Sequence, residues 1–165
     1  MADPRPQDTL PDAGQIARQI ADLGQRLSAR IAAGQGPVAL VGIERGGAVI
    51  ARALQAHLPA DVVHGALDPS FHRDDYATRG LRTARPSAMP LSLEGYRVIL
   101  VDDVLHTGRT VRAALEALFE RGRVASVCLA VLVDRPGREL PLQADEVGFR
   151  LDLPAGSRVK VVEEP

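Results

Sequence analysis

The chain has no tryptophan, two tyrosines and three phenylalanines in 165 residues, so its interior has to be built from alanine, valine, leucine and isoleucine. Lysine is almost missing as well: of the 20 lysines and arginines, Lys160 is the single lysine, which leaves 19 arginines. One cysteine, Cys128, lies inside the apolar run 127–133; it excludes a disulfide framework and a cysteine-rich zinc site and reads as a core thiol. No stretch reaches the roughly 18 consecutive apolar residues of a membrane span. Residues 1–15 carry acids and prolines where a secretory leader carries an apolar core, which points to a cytoplasmic protein. The formal net charge of −1 argues against a surface that holds nucleic acid or an anionic membrane by bulk electrostatics. The arginine excess has two readings: a compositional bias of the lineage, or guanidiniums whose planar fork grips phosphate.

A length of 165 residues suits one domain burying about two thirds of its chain's surface. Residues 1–11 contain prolines and aspartates without period and read as a mobile tail, leaving 12–165 as the single domain. Asp12 and Gln15 form an N-cap pair, after which Ile16, Ile20, Leu23, Leu27 and Ile31 recur at helical spacing up to about Ala33, before the stop at 34–37. Short apolar runs then alternate with helical segments. Strands are expected at 38–43, 62–67, 98–101 and 127–133, with strand-like pieces near 147–151 and 159–162, and helices at about 47–57 and 110–121. That alternation predicts an α/β fold whose parallel sheet is covered on both faces. The interval 68–95 breaks the rhythm, with three prolines and seven charged residues before Pro86. It exceeds the ~12–15 residues at which a loop becomes unusual and reads either as a disordered insertion or, the favoured reading, as an active-site lid.

The chemistry concentrates in residues 98–110. Four apolar residues bring a buried strand to its carboxyl end, where Asp102 and Asp103 are expected to leave the sheet together. Ligands of open α/β sheets bind outside such ends, and two carboxylates there suit a vicinal diol or the water around a magnesium ion. Thr107, Gly108, Arg109 and Thr110 follow immediately before a helix. Gly108 permits close approach or positive φ, and the first-turn N–H groups with two hydroxyls converge where an anion is stabilised. Together these describe a pocket for a sugar phosphate. A receiver-type acid pocket would need a later phosphoacceptor and lysine, and neither a Walker loop nor a GxGxxG follows a strand.

Residues 98–110 resemble the phosphoribosyl-pyrophosphate signature of type I phosphoribosyltransferases. The longer run ValAspAspValLeuHisThrGlyArgThrValArgAlaAla at 101–114, with LeuAlaValLeuValAspArg at 129–135 and ArgGluLeuPro at 138–141, is similar to the PyrR proteins, which combine regulation of pyrimidine-operon RNA with uracil phosphoribosyltransferase activity. The likeness covers roughly 39–162 and is dense from 98 to 148. It implies the type I phosphoribosyltransferase fold, a central parallel sheet flanked by helices with a hood or lid segment, in a homodimer or larger homo-oligomer.

The resemblance also implies roles. Asp102 and Asp103 would hold the ribose hydroxyls, and Val104, Leu105, His106, Thr107, Gly108, Arg109 and Thr110 would form the loop around the 5′-phosphate. Glu44, Arg45 and Gly46, after the first strand, match the pyrophosphate loop, with Arg45 counted among the catalytic residues. Val133, Asp134, Arg135 and Val159 would face the base or nucleotide, and Arg73, Asp74 and Asp75 would belong to the lid. Magnesium would be held through substrate and water near Asp102 and Asp103, with no direct protein ligand. Arg18, Arg26, Arg138 and Arg150, with Arg30, are the candidates for an RNA face. His106 stands where many relatives carry tyrosine and purine-specific cousins an acid, and reads as a loop residue before a base. Gln143 stands where relatives often have a basic residue, which bears on RNA binding. Two alternatives stay open: an attenuator that uses the pocket as a sensor for uridine nucleotide, and a transferase for another base.

Overall fold

The computed structural model describes residues 9–70 and 92–163. Eight elements follow in order: α1 (Ala13–Ala33), β1 (Val38–Ile43), α2 (Gly46–Gln55), β2 (Val63–Leu67), β3 (Arg97–Leu105), α3 (Arg109–Phe119), β4 (Ser126–Asp134) and β5 (Glu146–Arg150). The strands pair throughout in parallel, in the spatial order β2-β1-β3-β4-β5. Helix α1 begins at a reciprocal cap: the Asp12 carboxylate accepts from Gln15 N, and the Gln15 side-chain oxygen accepts from Asp12 N, each at 2.8 Å.

Alternate residues of each central strand serve opposite faces of the sheet. Leu40, Ile99, Val101, Ala130 and Leu132 pack with Leu23 and Leu27 of α1 and Ile50 and Leu54 of α2. Ala39, Val41, Leu100, Leu129 and Val131 pack with Val111, Ala114 and Leu118 of α3. The sheet is therefore buried on both sides, as continuous apolar strands require. The chain moves left from β1 through α2 and right from β3 through α3, so the order reverses between β1 and β3. In a doubly wound sheet that crevice is where ligands bind.

Two expectations are corrected. Strand β3 does not stop at Val101 but runs on through the acid pair to Leu105, because Asp102 pairs with Val131 and Val104 with Val133 of β4. The piece at 159–162 is not a strand. The sheet ends at β5, and after Leu151 the chain turns at Pro154, whose carbonyl accepts from Ser157 N at 3.0 Å. Pro154 and the positive φ of Gly156 (86°) divert the segment, and its Val161 packs on the core without a ladder. Most of the tail and lid expectations, including Arg73, Asp74 and Asp75, lie outside the described residues. Among the described residues no helix is long and apolar enough to cross a membrane.

Candidate active site

Two strand-to-helix turns meet at the crevice between β1 and β3. In the first, Glu44 N donates to the Leu67 carbonyl at 2.8 Å, fixing the end of β1 against β2. Arg45 is the exposed N-cap of α2, and the Glu44–Arg45 peptide bond is cis. The turn packs closely on its surroundings, since side chains at Gly42 of β1 and at Gly46 and Gly47 would overlap α2 or β3. A Cβ on Gly42 would lie 2.5 Å from Ala48 Cα, one on Gly47 would strike the Val101 carbonyl, and one on Gly46 would strike the Asp103 carboxylate. Glycine here serves close approach of backbone to strand.

The second turn follows β3. Asp102, 4% exposed, lines a cleft of about 190 Å³ with Val104, Leu105, His106, Thr107, Gly108, Thr110 and Val111. Asp103 lies instead against Gly46, so the two carboxylates stand on different walls of the crevice. Each also fixes the backbone beside it: Asp102 Oδ1 accepts from Asp103 N at 2.9 Å, and Asp103 Oδ1 from Val104 N at 2.8 Å. Gly108 is the N-cap of α3 with φ 92°, a left-handed conformation that favours glycine. Having no side chain, it supplies no capping oxygen to the first-turn donors of α3, and Thr110 and Val111 at that turn line the cleft.

Arg109 is not among the residues lining the cleft; its Nε donates to Glu139 Oε2 at 3.1 Å on the surface. The His106 ring sits over Gly137, where a Cβ would lie 2.7 Å from Nε2. Burial first, then the charges of Arg135 and Arg138, hold its pKa below the usual histidine value despite the opposing pull of Glu139.

At the end of β4, Val133 is buried and the Asp134 carboxylate is held on both sides, by Arg138 Nη2 and Arg150 Nη1, each at 2.7 Å. Arg135 is 6% exposed and its Nη1 donates to the Ser157 carbonyl at 2.5 Å, tying the C-terminal segment that carries the half-buried Val159 to the end of β4. Arg26 and Arg30 grip Glu146 on β5 at 2.5 and 2.6 Å, whereas Arg18 is exposed. Four of the five arginines assigned to an RNA face thus hold partners within the fold. At the amino end of the sheet, Cys128 lines a second cavity with Arg30 and Arg97, and burial pushes its thiol up to about 11. Such a thiol is inert at neutral pH.

Val111 as a cleft residue and Gly137 as the floor under His106 are not expected from the sequence pattern. The ArgGluLeuPro motif at 138–141, which has no evident structural task in the sequence, is the signal that was available.

An acid pair and two glycine-led helix starts at the switch point of a parallel sheet define a phosphoribosyltransferase. The chain matches the phosphoribosyl transferase domain family over residues 6–162. It is 44% identical over 155 residues to the Bifunctional protein PyrR of Pseudomonas entomophila, covering 93% of this chain and 88% of that protein. To the Bifunctional protein PyrR of Pseudomonas aeruginosa (strain LESB58) it is 44% identical over 163 residues, covering 98% and 91%. The chain belongs to the PyrR family. Among solved structures, a hypoxanthine-guanine phosphoribosyltransferase from Bacillus anthracis shares the fold with a TM-score of 0.67 at 20% identity, covering 89% of this chain and 85% of that one. A purine phosphoribosyltransferase from Pyrococcus horikoshii does so with 0.65 at 23% identity, covering 96% and 99%.

Proposed function

We propose that the protein transfers the phosphoribosyl group of phosphoribosyl pyrophosphate to uracil, giving uridine monophosphate and pyrophosphate. The observation that carries this reading is the convergence of the Glu44–Gly47 turn, the acid pair and the glycine-capped α3 on one crevice. The bond from ribose C1 to the pyrophosphate oxygen breaks, a bond from C1 to the base nitrogen forms, and the base gives up its proton. Positive charge builds on the ribose and negative charge on the leaving group, so the task is positioning and electrostatic stabilisation. Asp102 and Asp103, approaching from two walls, orient the ribose hydroxyls and favour the developing cation. The first turn of α3 holds the 5′-phosphate, while Arg45 and the backbone of its turn receive the pyrophosphate.

Phosphoribosyltransferases generally work with magnesium. The ion would be carried by the substrate, with Asp102 and Asp103 reaching it through water. When bound, it supplies neutralisation of pyrophosphate charge. His106, whose ring sits over Gly137 in the loop after β3, is read as a loop residue before a base.

The name of the relatives, Bifunctional protein PyrR, favours a second role as a pyrimidine-operon regulator through RNA. For that role the exposed Arg18 is the retained candidate, since Arg26, Arg30, Arg138 and Arg150 are each engaged by an acid of the fold, Arg30 from an exposed position. Assembly into a homodimer or larger form accompanies this proposal and is measured by sedimentation. The deciding assay offers uracil, hypoxanthine, guanine and orotate with phosphoribosyl pyrophosphate and reads pyrophosphate release. Uracil is expected to be the preferred acceptor; preference for a purine or orotate would replace the reading with another base specificity.

A further inference from the structure

The guanidinium of Arg138 spends all three of its nitrogens on the fold. Nη2 donates to Asp134 Oδ1 at 2.7 Å, Nε to the Leu142 carbonyl at 2.8 Å, and Nη1 to the carbonyls of His106 at 2.5 Å and Arg135 at 3.3 Å. These acceptors lie on three separate pieces of chain: the loop after β3, the end of β4, and the turn at 138–142. The next two residues continue the grip, because Glu139 N and Leu140 N both donate to the Thr107 carbonyl, at 2.9 and 3.2 Å. The strap also roofs the loop's glycine: a Cβ on Gly108 would meet Leu140 Cβ and Leu142 Cδ1 at 3.5 Å and Arg138 Cδ at 3.6 Å.

A trans peptide is planar, and its N–H points opposite to its C=O. Pulling the carbonyls of His106 and Thr107 toward the strap therefore turns the N–H groups of Thr107 and Gly108 away from it, toward the cleft these residues line. We propose that Arg138 is a positioning residue of the phosphate loop: through the strap 138–142 it presets the Thr107 and Gly108 amides as donors to the 5′-phosphate. Such donors cost nothing to orient when the ligand arrives. Asp134 is also held by Arg150 Nη1 at 2.7 Å, so its carboxylate keeps a partner when Arg138 is changed. Lysine cannot replace Arg138, because one ammonium has neither the fork nor the reach for four acceptors.

This rests on the transferase reading, and the experiment separates the two. Arg138→Lys and Arg138→Gln are compared with wild type for KM of phosphoribosyl pyrophosphate, KM of uracil and kcat, and for binding of uridine monophosphate against uridine. Both variants should raise KM for phosphoribosyl pyrophosphate and weaken uridine monophosphate by roughly tenfold or more, the scale of one hydrogen bond to a charged group. KM for uracil and binding of uridine should change little, which a general loss of structure would not reproduce.

In the wild type, titration with ribose 5-phosphate followed by amide NMR should move Thr107 and Gly108 most; this needs no variant to fold. Unchanged phosphate affinity in both variants, or Thr107 and Gly108 amides indifferent to ribose 5-phosphate, overturns the inference. A wild type with no phosphoribosyl-pyrophosphate-dependent activity on any base overturns the transferase reading instead.

Discussion

The carboxylate of Asp103 occupies the space that a side chain at position 46 would need: a Cβ on Gly46 would overlap Oδ2 and Cγ and lie 2.9 Å from Oδ1. The Glu44–Gly47 turn, proposed to receive the pyrophosphate, and the acid pair are thus fitted to each other by the absence of one methyl group. Gly46→Ala should push Asp103 aside while leaving the sheet intact, costing about 1–3 kcal/mol of stability as a local overpacking. Activity of the folded variant should also fall, by about 10²-fold, as misplacement of a positioned group by an ångström does. Steady-state rates beside thermal unfolding measure both; an active Gly46→Ala enzyme would mean that Asp103 has no fixed post.

Asp102 and Asp103 stand on different walls, so their losses should differ in kind. Asp102→Asn is nearly isosteric and retains an oxygen for Asp103 N, yet removes charge from the cleft floor. The double Asn variant should lower turnover by roughly 10²-fold or more with the circular-dichroism spectrum unchanged. Wild-type turnover in the double variant would remove the acid pair from the mechanism.

His106 should be neutral at pH 7, with an imidazole titration midpoint below 6.5. Its folded pKa lies below its unfolded value, so the unfolded chain binds the proton more readily. The stability it contributes is present above pH 6.5 and is lost as pH falls through the folded midpoint; His64, lowered by burial, acts in the same direction. Arg135→Gln removes the second-largest cause and should raise the His106 midpoint. Proton–carbon NMR of the ring across pH 4–8 reads this, and a midpoint above 6.5 in the wild type would contradict the placement over Gly137.

Much of this architecture was legible in the sequence because burial on both faces makes parallel strands into apolar runs, as in Val38–Ile43 and in 127–133 within β4. The loop around Gly108 was legible because few residues other than glycine take φ 92° at a helix start. What local pattern does not carry is partnership across the chain. Asp102 and Asp103 look like the end of a strand because they are charged, yet pairing with β4 carries the ladder through them. Val159 and Val161 alternate like a strand but find no ladder beyond β5. The arginines show the same limit most clearly. Arg138 lies 32 positions from the His106 carbonyl it holds, and Arg26 lies 120 positions from Glu146, so both look solvated when read one segment at a time.

Glu146 joins α1 to the edge strand β5 by accepting from Arg30 Nε on Oε1 and Arg26 Nη1 on Oε2, while Arg26 Nη2 reaches the Val147 carbonyl at 3.0 Å. The Glu146 side chain is 12% exposed, so the pair is screened less than a surface ion pair, and its hydrogen bond raises the pKa of Arg30. Glu146→Gln keeps the shape and removes the charge, leaving two guanidiniums competing for one neutral oxygen. A loss of about 1–3 kcal/mol is expected, which for a chain of this size lowers Tm by several degrees. The crevice is untouched, so transferase rates should hold. The same variant frees Arg26 and Arg30 toward solvent. If those arginines serve RNA, filter binding of pyrimidine leader RNA at several salt concentrations should tighten and its salt dependence steepen; RNA affinity equal to wild type, with Tm lowered, assigns both arginines to holding α1 on the sheet.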